Sequence, residues 1–148
     1  MPDVVFHAEL SDKIGYACRL LRKAARQGHR VRVLGEAVEI DLLDQALWSF
    51  DPRDFVPHVR LRQDKILPAM ARTPLWLQPA GEPWPEGVTA PAVVVNLGPG
   101  AVPEANDAQR LIELVGDDDT ERQAGRIRWR AYRSQGLEPR AVQPGAAT

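Results

Sequence analysis

A chain of 148 residues with 44% hydrophobic and 26% charged side chains has the size and make-up of one globular domain. Its net charge of −1 excludes a global field that would draw it onto nucleic acid or an anionic membrane, so attraction to a charged partner has to be local. A single cysteine, Cys18, excludes an internal disulfide and a cysteine-built zinc site.

Val4-Val5-Phe6 reads as a first strand, and Ser11 is placed to cap the helix after it. In that helix Ile14, Ala17, Cys18, Leu21, Ala24 and Ala25 recur at three- and four-residue steps, which makes them the buried face and Cys18 a small core residue rather than a nucleophile. Arg19, Arg22, Lys23 and Arg26 fall on the opposite side, and Gly28 ends the helix. HRVRVL, residues 29–34, alternates valine with arginine as a strand with one polar face, broken at Gly35. A second helix is predicted from Glu36 to Phe50, with Val38, Leu42, Leu43, Ala46 and Leu47 as its buried side. A loop with Pro52, Phe55 and Pro57 follows, and TPLWLQ, residues 73–78, is a third strand. Four prolines and two glycines between Pro79 and Pro91 make that segment a loop. AVVVNL, residues 92–97, is β-branched and apolar enough for a central strand covered on both faces. RLIELV, residues 110–115, is another strand, and a closing helix runs from Asp118 to Gln135 with Gly136 after it. The sum is an α/β fold: a three-layer single domain over residues 1–140, with a mainly parallel, Rossmann-like sheet flanked by helices. Residues 141–148 are expected to be a disordered tail. No apolar run approaches the ~18 residues of a membrane span. MPDVVFHAEL also lacks the basic start and apolar core of a secretory signal, so a cytoplasmic protein is expected.

Such a sheet raises the possibility of a nucleotide-binding enzyme. A phosphate cradle needs glycines between the first strand and helix, and HAELSD has none. Leu97-Gly98-Pro99-Gly100 has two, but Pro99 carries no N–H and no GK[ST] follows, so a turn is the reading. His7, His29 and His58 form no metal-ligand spacing. Asp117, Asp118 and Asp119 stand where a helix starts, and there negative charge meets the positive end of the helix dipole. Catalytic residues, metal and cofactors are therefore expected to be none.

The closing helix is different. Arg122, Arg126, Trp129, Arg130 and Arg133 share one stripe, while Ala124, Ile127 and Ala131 lie away from it and are expected to pack on the sheet. From Glu121 to Arg140 six arginines face two glutamates, a local charge of +4. Arginines take carboxylates or phosphates in forked hydrogen bonds, and an indole offers an apolar shelf. Three occupants fit those residue types: an acidic peptide with a hydrophobic end, single-stranded nucleic acid bound directly, or carboxylates elsewhere in the fold with Trp129 in the core. A second cluster, DQALWSFDPRDFVPH (residues 44–58), places Trp48, Phe50 and Phe55 around a helix end and a proline-bounded loop. Some of these rings belong to the core and some to a protein interface.

With WRAYRSQG (residues 129–136) downstream of DQALWSFDPRDFVPH, the chain resembles the chi subunit of bacterial DNA polymerase III holoenzyme. The likeness runs over an opening strand and helix, the LDQALW helix, the FVPH loop and the WRAYR closing helix. It implies a non-catalytic accessory protein of DNA replication. Such a protein would link the clamp loader, through the psi subunit, to the acidic, phenylalanine-ended C-terminal tail of single-stranded DNA-binding protein, and would meet DNA only indirectly and a membrane not at all. It also implies a tail site of Trp129 and Arg130, where the family commonly has Tyr and Lys, with Arg126 and Arg122 one and two turns earlier and Val115 as an apolar lining. Trp48 and Phe55 are then the psi-facing aromatics. A tail contact of this kind is expected to be small, below ~1,200 Å², and sensitive to salt.

Overall fold

The computed structural model describes residues 2–49, 53, 56–61 and 73–142. Strands β1 (Asp3–Leu10), β2 (Val31–Gly35), β3 (His58–Arg60), β4 (Leu75–Pro79), β5 (Val93–Asn96), β6 (Arg110–Gly116) and β7 (Arg140–Val142) lie in the order β3-β4-β2-β5-β6-β1-β7. Every pairing is parallel. Helices α1 (Lys13–Arg26) and α2 (Ala37–Ser49) pack against each other on one face, and α3 (Asp119–Ser134) packs on the other. The valine-rich β5 is the middle strand of seven, where both faces are covered, as its composition implied.

Strand side chains alternate between the layers. Val33, Leu77, Val95 and Leu114 join Leu21 and Leu43 under α1 and α2. Val4, Phe6, Val94, Leu111 and Val115 join Tyr132 under α3. Cys18 is fully buried in the first cluster, and burial pushes its thiol up to about 11, so it packs as a small apolar residue.

Several local expectations are corrected. Asp12, not Ser11, caps α1: its Oδ1 accepts from the Gly15 N–H at 3.0 Å. The buried side of α2 is Ile40, Leu43 and Leu47, while Val38 and Leu42 are 72% and 51% exposed. Apolar residues run almost all the way round α2, so periodicity alone could not choose its inner face; packing against α1, β3 and β4 chose it. β3 and β7 have three residues each, too few for a period to register. β7 crosses the boundary at which a tail was expected: Arg140, Ala141 and Val142 pair with Val5, Phe6 and His7. Residues 143–148 lie outside the described residues.

His7 stands on the α1 face of β1, with Nδ1 2.5 Å from the Tyr16 hydroxyl and the two rings edge to face. Burial, and then the guanidiniums of Arg110 and Arg140, hold His7 below the ordinary 6.5. Between the lowered value and 6.5 the unfolded chain binds a proton that the folded chain refuses. Stability is therefore full above that window and falls as the pH is lowered through it. Urea unfolding across a pH series is expected to show a steeper acid-side loss for the wild type than for His7→Gln; parallel curves would remove His7 from this role.

Candidate functional site

Asp118 starts α3 by accepting the Glu121 N–H at 2.8 Å, which is the helix-start role read for the aspartate run. The helix is then held to β6 by a buried polar cluster that sequence reading did not foresee. Glu113 projects from β6 towards α3 and is fully buried. Arg128 Nε donates to its Oε1 at 2.7 Å, Asn96 Nδ2 lies 3.0 Å from both carboxylate oxygens, and the Tyr132 hydroxyl donates to Oε2. Arg128 also donates to the carbonyls of Leu114, at 3.1 Å, and Pro99, at 3.3 Å, and Tyr132 accepts from the Val102 N–H at 2.9 Å. Burial pushes the Glu113 carboxyl up, against the pull of Arg128, Tyr132 and Asn96. The Gly98-Pro99-Gly100 segment is thus a turn wrapped over this cluster. A Cβ on Gly98, which has φ 86°, would stand 2.8 Å from Arg128 Nη1.

This cluster sets the rotation of α3. With Gly125, Arg128 and Tyr132 inward, Ile127 is 56% exposed instead of packed on the sheet, and Ala124 and Ala131 are half-buried. The stripe of Arg122, Arg126, Trp129 and Arg130 then overlooks the edge of β1 and β7 across a cleft of about 600 Å³. Its floor is apolar: Phe6 and Ala8 of β1, Val115 of β6 and Ala141 of β7. Gly125 permits the close approach of helix to floor, since a Cβ there would lie 3.0 Å from both Val115 methyl carbons. Trp129 is half-buried, its ring 5.0 Å from that of Phe6 and tilted by 53°.

The four arginines of the stripe have different neighbours. Arg122 is committed: Nε and Nη2 each lie 2.9 Å from a Glu9 carboxylate oxygen, and Nη1 lies 3.1 Å from Asp119. Glu9 reaches it because β1 is irregular between His7 and Leu10 and Glu9 takes φ 58°, which re-aims its side chain. Arg122 holds the Glu9 carboxyl below the usual carboxylate range. Arg126 and Arg130 are exposed on the cleft rim, and among the described residues neither has a carboxylate at ion-pair distance; Arg130 Nε donates to the Arg126 carbonyl at 3.4 Å. Arg133 is also exposed but does not line the cleft. Of the six residues read from sequence, five line one cavity: Val115, Arg122, Arg126, Trp129 and Arg130. Phe6, Ala8, Glu9 and Ala141 carried no local signal, because only the pairing of β1 with β6 and β7 brings them there.

The carboxyl ends of the strands, where α1, α2 and α3 begin, are where an open parallel sheet would hold a nucleotide. There Lys13 Nζ lies 2.7 Å from Glu39 and 2.9 Å from Glu121, and donates to the Leu97 carbonyl at 2.8 Å. A phosphate at that place would meet two carboxylates. At the far end of the sheet Trp48 is 58% exposed at the end of α2, its ring 5.0 Å from His58. His58 in turn lies 3.0 Å from Asp44. Phe55 lies outside the described residues.

A protein of Pseudomonas aeruginosa described as DNA polymerase III subunit chi is 36% identical over 137 residues, covering 90% of this chain and 87% of that protein. Among solved structures, the C-terminal domain of the DEAD-box protein Dbp5 superposes with a TM-score of 0.65 at 12% identity, over 97% of this chain and 90% of that one. The C-terminal domain of S. cerevisiae Dbp5 bound to Gle1 and IP6 superposes with a TM-score of 0.61, also at 12% identity and over the same shares. At that identity the likeness shows a shared fold alone. The family profile described as DNA polymerase III chi subunit, HolC, matches residues 1–140. The chain therefore belongs to the DNA polymerase III chi subunit family, accessory subunits of the replication machinery.

Proposed function

We propose that this chain is a non-catalytic adaptor of DNA polymerase III, taking the acidic, phenylalanine-ended tail of single-stranded DNA-binding protein in the α3 cleft and the psi subunit of the clamp loader at the opposite end of the sheet. The observation that carries the first half is the pairing of two rim arginines without a carboxylate partner among the described residues, Arg126 and Arg130, with an apolar floor edged by Trp129. The tail's aspartates and terminal carboxylate suit the arginines, and its phenyl ring suits Trp129 and Val115. Arg122, engaged by Glu9 and Asp119, acts as a fixed wall of the cleft. The exposed apolar side chains of Val38, Leu42 and Trp48 on α2 support the psi half. Work beside DNA in the cytoplasm suits such an adaptor, and no described helix is long and apolar enough to cross a membrane.

Calorimetric titration with an acidic tail peptide tests the cleft. Binding is expected to weaken with added salt, and Arg130→Ala is expected to lower affinity about tenfold or more, the loss of one charge-assisted hydrogen bond. Unchanged affinity would refute the site. Direct binding of an oligothymidylate with a steep salt slope would favour the single-stranded DNA reading instead, and a thermal shift with nucleotides would favour the enzyme reading. For the other end, Trp48→Ala and Phe55→Ala are expected to disrupt co-purification with psi and leave the peptide titration unaltered.

A further inference from the structure

On the α1 face of the sheet a second cavity, of about 280 Å³, opens between the C-terminal half of α1 and strands β6, β1 and β7. Val5, Ile112 and Val142 form its floor and Leu20 of α1 one side. The parallel register builds it, setting Val5 beside Ile112 and Arg140, and His7 beside Val142. Neither the tail nor the psi reading uses this place.

Two independent features mark it as more than a packing gap. At one end two guanidiniums share one carboxylate. Arg140 Nε and Nη2 each lie 3.2 Å from an oxygen of Asp3, and Arg110 Nη2 lies 3.5 Å from the same group. Both arginine side chains are about half exposed, at 55% for Arg110 and 54% for Arg140. Each guanidinium has five N–H donors, so donors and one positive charge remain over. Towards the other end His7 is only 5% exposed and lines the cavity. Its Nδ1 is engaged by Tyr16, whereas its Nε2 has no hydrogen-bond partner among the described residues. That nitrogen keeps contact with solvent, so it is open to a polar atom held in the cavity that the ring lines. When the Tyr16 O–H donates to Nδ1, the proton of the neutral ring sits on Nε2, which then presents a donor to the cavity.

We propose that this cavity binds a small organic anion, a carboxylate or phosphate group on an apolar body, with its head on Arg110 and Arg140, its body along Val5 and Val142, and a polar atom on His7 Nε2. The volume lies at the small end of ligand sites, which limits the body to a single ring or a short chain.

The test adds benzoate or phenyl phosphate to the full chain, with acetate and inorganic phosphate as heads without a body, and follows the His7 ring by NMR alongside thermal unfolding. One of the two ring-bearing probes is expected to shift the His7 resonances saturably and raise the melting temperature; the stronger arm identifies the head group. Arg140→Gln, or Arg110→Gln if the first is poorly folded, is expected to weaken that probe about tenfold or more without altering the peptide titration of the α3 cleft. Three results would overturn the proposal: no His7 response to either probe, an equal response to the bodiless heads, or full binding retained in both arginine variants.

Discussion

Glu113→Ala is expected to lower the unfolding free energy by about 3–5 kcal/mol, because removing one partner of a buried ion pair leaves the other buried and uncompensated. Arg128 is 1% exposed, and its guanidinium has Glu113 as its one carboxylate partner among the described residues. The Tyr132 hydroxyl and the Asn96 amide would lose the same acceptor. Glu113 has no route to solvent that would soften the loss. Urea unfolding followed by circular dichroism checks it, and a cost under about 1 kcal/mol, the level of an ordinary surface substitution, would show that the cluster does not hold α3. The double variant Glu113→Leu with Arg128→Met is the informative companion. Replacing both charges with apolar groups of similar volume is expected to recover most of the loss, since a buried pair contributes little net stability over a well-packed apolar substitute. If the recovered variant also binds the tail peptide less well, the cluster matters for aiming α3 as well as for holding it.

Arg126→Glu combined with Arg130→Glu is expected to abolish peptide binding in the α3 cleft, a drop of about 100-fold or more from two lost charge-assisted hydrogen bonds with repulsion added. The melting temperature is expected to stay near that of the wild type, because both side chains are exposed and neither answers a carboxylate within the described structure. Calorimetry and thermal unfolding on the same preparation separate the two effects. Ile127→Glu is the control: it adds a negative charge to the same helix on an exposed side that does not line the cleft, and peptide affinity is expected to change little. A double variant that binds as the wild type does would locate the acidic ligand elsewhere. One that unfolds would mean that the two arginines hold the fold as well as the ligand.

The stripe on α3 was legible because helical spacing is a property of sequence: residues three and four apart share a side wherever the helix is put. Which side would face outward was not. Reading apolar residues inward set Ile127 on the sheet and left Arg128 only as part of the local charge of +4, whereas Arg128 is buried and Ile127 is not. The reason is Glu113, which sits inside the apolar strand RLIELV and turns towards α3, so that it requires a buried cation there. Nothing near Arg128 in the chain reveals a carboxylate 15 residues earlier on a neighbouring strand. The same limit applies to α2, where Ile40 is buried and Val38 is not.

By itself, the order of residues determined the main alternation of strands and helices, the central place of the valine-rich strand, the glycine stops after α1 and α3, and an arginine and tryptophan row with its membership of the chi family. These depend on local spacing, backbone conformation and motif. Only the tertiary structure decided that Glu9 would fix Arg122, that Phe6, Ala8 and Ala141 would floor the cleft, that Arg133 would stand outside it, and that His7 would face a cavity edged by Arg110 and Arg140. Each of these joins residues far apart in the chain, and such contacts exist only once parallel pairing has set β6, β1 and β7 in register.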